Sequence, residues 1–517
     1  MSTENNLQES GNPIEANNAE QHTKYEKNGH REKSEWHMRG WIIIFVILEA
    51  AVIFFYAFFV EPSKQVDVLT ADKTNLQSQD LVKQIYPIYQ DIHVMMLIGF
   101  GFLYTYLHRS SWVNMSFNFF LMIWVIQISI LLCGFFKMMV ENHWGKIYID
   151  IRTMIQADFA TAAVLISLGG VLGKFNIGQL LVMATLEICF YAPNLAVGEV
   201  AYVAIDMGGS MFIHTFGAYF GLACSLVYSW MEEETVKDHK HNKASYTSNL
   251  FAYIGTAFLW MFWPSFNGAV ATGNAQHRVI VNTVFALTGS ALAVFFLAPL
   301  KSHGKFKMEL LLNATLAGGV AIGGTCDVLA KPWSAILVGF IAGAMSFIGF
   351  EFIGPCLQKR MRLYDTAGIH NLHGMTGIYG ALVGIIVSAT ASTTEYGASL
   401  SIIFPAIKDG RTFSLQAQMQ LAALGTSICF GSVGGMVTGF ILRVKCCFDG
   451  APSDEMFSDL PFFEELEEVN EKIEVEGILV QLPPNNNQRI ENSHLEERNT
   501  KIELKEIEIY DAQHNGV

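Results

Sequence analysis

The chain has 517 residues, of which 51% are hydrophobic and 15% charged, against about 25% charged in a soluble globular protein. The net charge of −14 sits at the ends: residues 448–517 hold 18 acidic and 5 basic side chains, residues 1–40 hold 7 and 5, and the body between them is close to neutral. This excludes an ordinary soluble domain and a nucleic-acid binder, and points to a membrane protein with an acidic tail.

The first forty residues are rich in Asn, Glu and Lys and read as a disordered segment. They do not read as a signal peptide, which places its apolar stretch within roughly the first 15–30 residues. Twelve apolar stretches follow, long enough to cross a bilayer at about 20 residues each: about 41–60, 90–107, 115–136, 153–172, 179–197, 210–230, 249–267, 278–298, 309–326, 333–353, 368–392 and 416–442. The predicted fold is therefore an all-α polytopic membrane domain over 41–445. The acidic tail, 446–517, comes after it. Within the tail, Glu464 to Glu468 reads either as solvated or as docking a cytosolic partner, and the alternating runs at Lys472 and Lys501 suggest short strands.

Lys and Arg near the span ends set orientation. With the N-terminus inside, sixteen of them flank the inner ends, Arg109, Lys174, Lys301 and Lys307 included, against ten outside. Both termini are expected in the cytosol, most simply at a plasma membrane. The eight cysteines show no metal-ligand spacing and no disulfide framework. The polar loops hold no nucleophile motif, phosphate loop or metal cluster, so neither an enzyme nor a cofactor is indicated.

Two segments match. Asp206-Met-Gly-Gly-Ser-Met-Phe-Ile-His214 and Asp365-Thr-Ala-Gly-Ile-His-Asn-Leu-His373 each place Gly three residues, and His eight residues, after an Asp. They open the sixth and eleventh spans, which run in opposite directions because they are five spans apart, an odd number. Ten of the spans thus read as an inverted repeat of five spans each, preceded by one extra N-terminal span. Such repeats bring equivalent residues together near the midplane. An intramembrane His is costly unless paired or facing a cavity, so His214 and His373 are predicted to line a pore. His370, three residues before His373, shares its helix face and is a weaker pore-adjacent candidate.

At these residues the chain resembles the Rh branch of the ammonium transporter family. The likeness is carried by Gly208–Gly221, by Leu259-Trp-Met-Phe-Trp-Pro-Ser-Phe266-Asn267, by Asn313-Ala-Thr-Leu-Ala-Gly-Gly319 and by Asn371-Leu-His373-Gly374, within an alignable region of about 40–460. The resemblance implies a homotrimer with one pore per subunit. It implies that His214 and His373 are paired in that pore, and that Phe159 and Phe266 form a stacked external gate, with Asn267 beside it. Asp206 looks like the acidic residue of the outer recruitment site and Asp365 like its inner counterpart. Taken singly, each Phe would read as core packing.

The resemblance makes ammonia the expected substrate, with methylammonium as an analogue. A neutral molecule avoids the cost of carrying a bare cation through hydrocarbon, and neutral imidazoles offer it one donor and one acceptor nitrogen each. A carbon dioxide channel and an ammonium sensor signalling through the tail are the alternatives. Two positions depart from relatives. Val270, where bacterial channels place a Ser, cannot accept a hydrogen bond, which argues against a tight external ammonium site. Lys307 stands where many animal Rh proteins carry an acidic residue, which argues against an acidic inner vestibule at that point.

Overall fold

The computed structural model describes residues 41–64, 66–67, 76–230, 236, 239–444 and 456–463. The disordered segment expected over 1–40 and the tail segments at Glu464, Lys472 and Lys501 lie outside the described residues.

Nine helices among the described residues are long and apolar enough to cross a membrane: α1 Trp41–Phe59, α3 Ser111–Glu141, α4 Ile151–Val171, α5 Ile177–Ala201, α6 Ser210–Ser229, α8 Asn274–Lys301, α10 Pro332–Met361, α11 His370–Thr390 and α12 Phe413–Ile441. Between them lie α2 Leu76–Val94, α7 Tyr246–Gly268 and α9 Met308–Ile322. The last two match the stretches expected at 249–267 and 309–326, and α2 runs on through the helical turns Met95–Gly99 and Phe100–Leu103 into the stretch expected at 90–107, but all three fall short of the same measure. Helix α2 starts fourteen residues earlier than the sequence suggests, with a polar first half. Trp, Tyr, Ser and Asn dilute the hydropathy of α7. Helix α9 is broken at Asn313, where a 3₁₀ turn intervenes.

Local chemistry fixes where helices begin. Asp150, Asn176 and Ser245 each accept from the backbone N–H three residues on, and each closes a capping box at the start of α4, α5 and α7. Thr412 caps α12 in the same way with a single bond, and Pro332 opens α10, where its missing N–H costs nothing. Parallel strands β1 Val60–Pro62 and β2 Ile147–Ile149 tie the end of α1 to the loop before α4.

Burial separates centre from rim. The most apolar windows of α4 and α6 are each 89% buried, whereas that of α1 is 6% buried. Helices α4 and α6 therefore form the centre and α1 lies on the outside, held by Tyr56 Oη donating to the Gln127 carbonyl of α3. Helix α6 packs between α4 and α12, and α8 packs along α10. The last contact depends on small residues, as is usual between membrane helices: a Cβ on Gly339 of α10 would lie 1.9 Å from the Ala286 carbonyl of α8. Gly339→Leu is expected to force the helices apart at a cost of about 1–3 kcal/mol or more. Size-exclusion of detergent extracts should then show aggregated protein in place of the wild-type peak.

Here the face at which α1 begins is termed the N-side. After α12 the chain returns to it: Phe457 donates its N–H to the Gly173 carbonyl in the loop between α4 and α5, and its ring lies 5.2 Å from His239. A second compact unit starts at Asp459. Its described residues form a turn closed by Phe462 N–H on the Asp459 carbonyl.

Candidate pore and its two half-helices

The two matching segments fold alike. Gly209 has φ +73° and Gly368 φ +71°, a left-handed conformation that Gly adopts without the Cβ penalty. After each glycine comes a π-helical turn, Ser210–Thr215 and His370–Gly374. The preceding Asp caps it. Asp206 Oδ2 accepts from the N–H groups of Met211 and Phe212, both at 2.8 Å. Asp365 accepts from Ile369 N–H at 3.0 Å and His370 N–H at 2.9 Å. The Asp-x-x-Gly spacing is thus the signature of a tight turn into a capped helix, with the positive end of the helix dipole on the carboxylate. Asp206 Oδ1 is buried without a partner.

Each turn delivers its histidine to the centre. His373 Nδ1 and His214 Nδ1 are 3.2 Å apart, with ring centroids 5.2 Å apart and planes within 14°. Both rings are at most 4% exposed. One Nδ1 must donate and the other accept. In neutral rings the donor then keeps a bare Nε2 and the acceptor carries Nε2–H. The pair therefore presents one acceptor and one donor away from itself, and His214 Nε2 has no partner in the protein.

The phenylalanines follow on from this pair, ring to ring. Phe159 of α4 is 4.7 Å from Phe266 of α7, and Phe266 is 5.9 Å from His214. The two Phe planes meet at 56°, so the expected parallel stack is instead a tilted pair. Phe159 is placed by a helix held at Asp150, Phe266 by the last turn of α7. Asn267 is not in the line: its Nδ2 donates to Thr283 Oγ1 and the Gly319 carbonyl, which pins the end of α7 to α8 and α9. His370 also stands aside, its ring edge-on to Tyr219 at 6.1 Å.

Several residues were not singled out by the sequence. Trp263 stacks on His214 at 5.7 Å and 25°; it sits in the quoted aromatic motif, three residues before Phe266 on the same helix face. His93 Nδ1 pairs with both oxygens of Asp158, beside Phe159, at 3.1 and 3.2 Å, and Ser265 donates to Asp91 at 2.5 Å. These contacts tie α2 to α4 and α7, the helices that carry Phe159 and Phe266. Gln420 of α12 clamps the backbone of Ile205 with two 2.7 Å bonds, fixing the loop before Asp206.

Lys174 closes the N-side end of α4. Its Nζ donates to the Gly170 carbonyl at 2.7 Å, to Ser225 Oγ at 2.8 Å and to the Tyr364 carbonyl at 2.6 Å, with the side chain fully buried. Burial pulls its pKa down to about 7. It joins α4, α6 and the residue before Asp365. Lys174→Met should cost about 1–3 kcal/mol for each buried oxygen left short of a donor. The expected result is a large loss of assembled protein in size-exclusion, with normal selectivity in what remains.

With this geometry in hand, comparison with known proteins is decisive. The profile of the Ammonium Transporter Family matches residues 51–448. The chain belongs to the ammonium transporter family. It is similar to ammonium transporter Rh type B of Xenopus tropicalis, 45% identical over 383 residues that cover 73% of this chain and 82% of that one. Rh type B of Danio rerio is 40% identical over 453 residues, covering 84% and 97%. Among solved structures, Rh50 of Nitrosomonas europaea superposes with a TM-score of 0.62 at 27% identity, covering 82% of this chain and 99% of that one. Mep2 of Saccharomyces cerevisiae, at 17% identity and TM-score 0.54 over 75% and 91% of the two chains, shares the fold. As a member of this family the chain is an integral, multi-pass membrane transport protein and not an enzyme.

Proposed function

We propose that this chain is an ammonia channel. Ammonium sheds its proton at the mouth, and ammonia passes Phe159 and Phe266 and then the His214–His373 pair. The observation that carries the reading is the 3.2 Å histidine pair, delivered by the first turns of α6 and α11 with the same Asp cap and the same left-handed glycine. Such an arrangement in a membrane core is costly unless something polar passes it. The single acceptor and single donor left on the outward nitrogens suit a small molecule that can both donate and accept.

Around that pore, α2, α7 and α9 join the nine apolar helices as spans, making twelve. The likeness of the two capped segments supports an inverted repeat of five spans each. The N-side is the cytosolic face, so both termini, the segment 1–40 and the tail from 446 are cytosolic. Asp206, with its free Oδ1, serves recruitment at the outer mouth and Asp365 at the inner one. The Rh likeness supports a homotrimer, for which the exposed apolar faces of α8 and α10, including Phe285, Phe296 and Phe340, offer area.

The test is stopped-flow pH measurement on purified protein in liposomes, with ammonia, methylamine and carbon dioxide as the three gases or amines. Faster alkalinisation by ammonia than in empty vesicles is expected. Acceleration by carbon dioxide alone would replace ammonia as the substrate, and acceleration by neither would leave a sensor.

A further inference from the structure

On the reading above, ammonia passes Phe159 and Phe266 uncharged, so ammonium must lose its proton before them and some group at that mouth must receive it. The last turn of α2 carries one. His93 is bonded through Nδ1 to both oxygens of Asp158, at 3.1 and 3.2 Å. Asp158 immediately precedes Phe159. Two residues before His93, Asp91 accepts from Ser265 at 2.5 Å, and Ser265 immediately precedes Phe266. The end of α2 is thus bonded to the neighbour of each gate ring.

The two partners are buried unequally. The Asp158 side chain is 0% exposed and that of His93 is 35% exposed. A carboxylate shut inside a membrane protein is costly without a cation or donors, and among the described residues the side chain standing on it is the His93 ring. The other edge of that ring is open. Its Nε2 is not buried and has no hydrogen-bond partner among the described residues. In the neutral ring, with Nδ1–H donating to the carboxylate, Nε2 carries the lone pair. Tyr89 lies against the ring at 5.1 Å without charge, and the Asp91 carboxylate is taken by Ser265. The arrangement is that of a base backed by a carboxylate, which fixes the tautomer, orients the ring and supplies the countercharge for an incoming proton.

We propose that His93 is the proton acceptor for ammonium at this mouth, with Asp158 as its positioning residue. An N–H bond of ammonium breaks with its electron pair left on nitrogen, which gives ammonia, and the proton forms Nε2–H. The product is an imidazolium paired with the Asp158 carboxylate. Dyad and departing molecule are then each neutral overall, and no isolated charge is left in a low-dielectric setting, where it would be expensive. The imidazolium passes the proton from Nε2 to external water, and the neutral ring is restored. Ammonia goes on past Phe159 while the proton stays outside. A positioned acid–base group accelerates proton transfer by about 10²–10⁴-fold, against which entry of ammonia already free in solution runs in parallel.

The proposal rests on the ammonia-channel reading, and one experiment separates the two. Liposomes holding the purified full-length protein, at pH 7 inside, are mixed with ammonium chloride at external pH 7 or 9.5. The total is adjusted so that free ammonia is the same in both, with choline chloride matching ionic strength, and the rate of protein-free vesicles is subtracted. Free ammonia then enters equally in both, whereas ammonium is abundant only at pH 7. Wild type is expected to alkalinise its interior about tenfold faster at external pH 7 than at 9.5, a conservative fraction of what a positioned base supplies. His93→Gln should give one rate at both. The His93→Gln, Asp158→Asn double variant leaves no unpaired carboxylate; it should behave as His93→Gln does and takes its place if the single variant assembles poorly. Equal wild-type rates at the two pH values, or variants that keep the wild-type ratio whatever their absolute rate, would overturn the proposal and leave His93–Asp158 a structural tie. A wild type no faster than protein-free vesicles at either pH would reject the channel reading and the proposal with it.

Discussion

His214→Asp is expected to assemble normally and to lose ammonia permeability by at least tenfold per molecule, about 1.4 kcal/mol in barrier. The carboxylate would stand beside His373, whose Nδ1 is now 3.2 Å from His214 Nδ1. An adjacent negative charge favours the imidazolium, and the lumen would then hold a fixed ion pair that traps a cation instead of passing a neutral molecule. His214→Phe narrows the same passage without adding charge and should impair flux less. The corresponding changes at His373 should give matching results, because the two residues make the same contact from opposite half-helices. The measurement is stopped-flow alkalinisation of liposomes, normalised to assembled protein. Poor assembly with normal flux per assembled molecule would mark both histidines as packing residues.

The second large effect is expected at Phe266. Its ring lies 4.7 Å from that of Phe159 and 5.9 Å from that of His214, and it is 2% exposed. A core Phe→Ala change costs about 3–5 kcal/mol when the surroundings cannot relax. Here the space opened adjoins the passage, so water can enter and part of that cost is relieved. Phe266→Ala should therefore assemble and admit water and hydrated ions as far as the histidine pair. Ammonia flux should persist while sodium leak, read with a fluorescent indicator inside the liposomes, rises above wild type. Wild-type values for both would return Phe266 to a packing role.

Much of this was legible because membrane burial leaves strong marks. Polar residues at fixed spacing inside apolar stretches are rare, so two Asp-x-x-Gly-x-x-x-x-His segments stood out, and the structure shows a physical reason for each position: a cap, a left-handed turn and a histidine delivered inward. The spans were legible where hydropathy was uniform, as in α3, and blurred where a helix opens in polar sequence, as α2 does, or where the backbone breaks, as at Asn313. What could not be read were contacts between distant segments. Nothing near His93 indicates that it meets Asp158, 65 residues away, and nothing near Lys174 indicates three acceptors from three elements. The same holds for Lys307: its charge was visible, but its partner, Glu351, is 44 residues further on. The partners of Asn267 were equally hidden: a helix turns each residue by about 100°, and Asn267, next to Phe266 in sequence, bonds to Thr283 of α8 and Gly319 of α9.

The central claim is that a neutral molecule crosses a histidine-lined pore. It is tested most directly by imposing an inward ammonium chloride gradient on liposomes containing the purified protein, with the membrane potential clamped by potassium and valinomycin, and recording internal pH. Neutral passage predicts rapid alkalinisation, because entering ammonia takes up protons inside, at a rate that does not change between clamps at 0 and −100 mV. A charge crossing the whole membrane gains about 2.3 kcal/mol from such a potential. No alkalinisation beyond that of protein-free vesicles, with an internal acidification that grows steeply as the interior is made more negative, would show ammonium itself crossing and contradict the account.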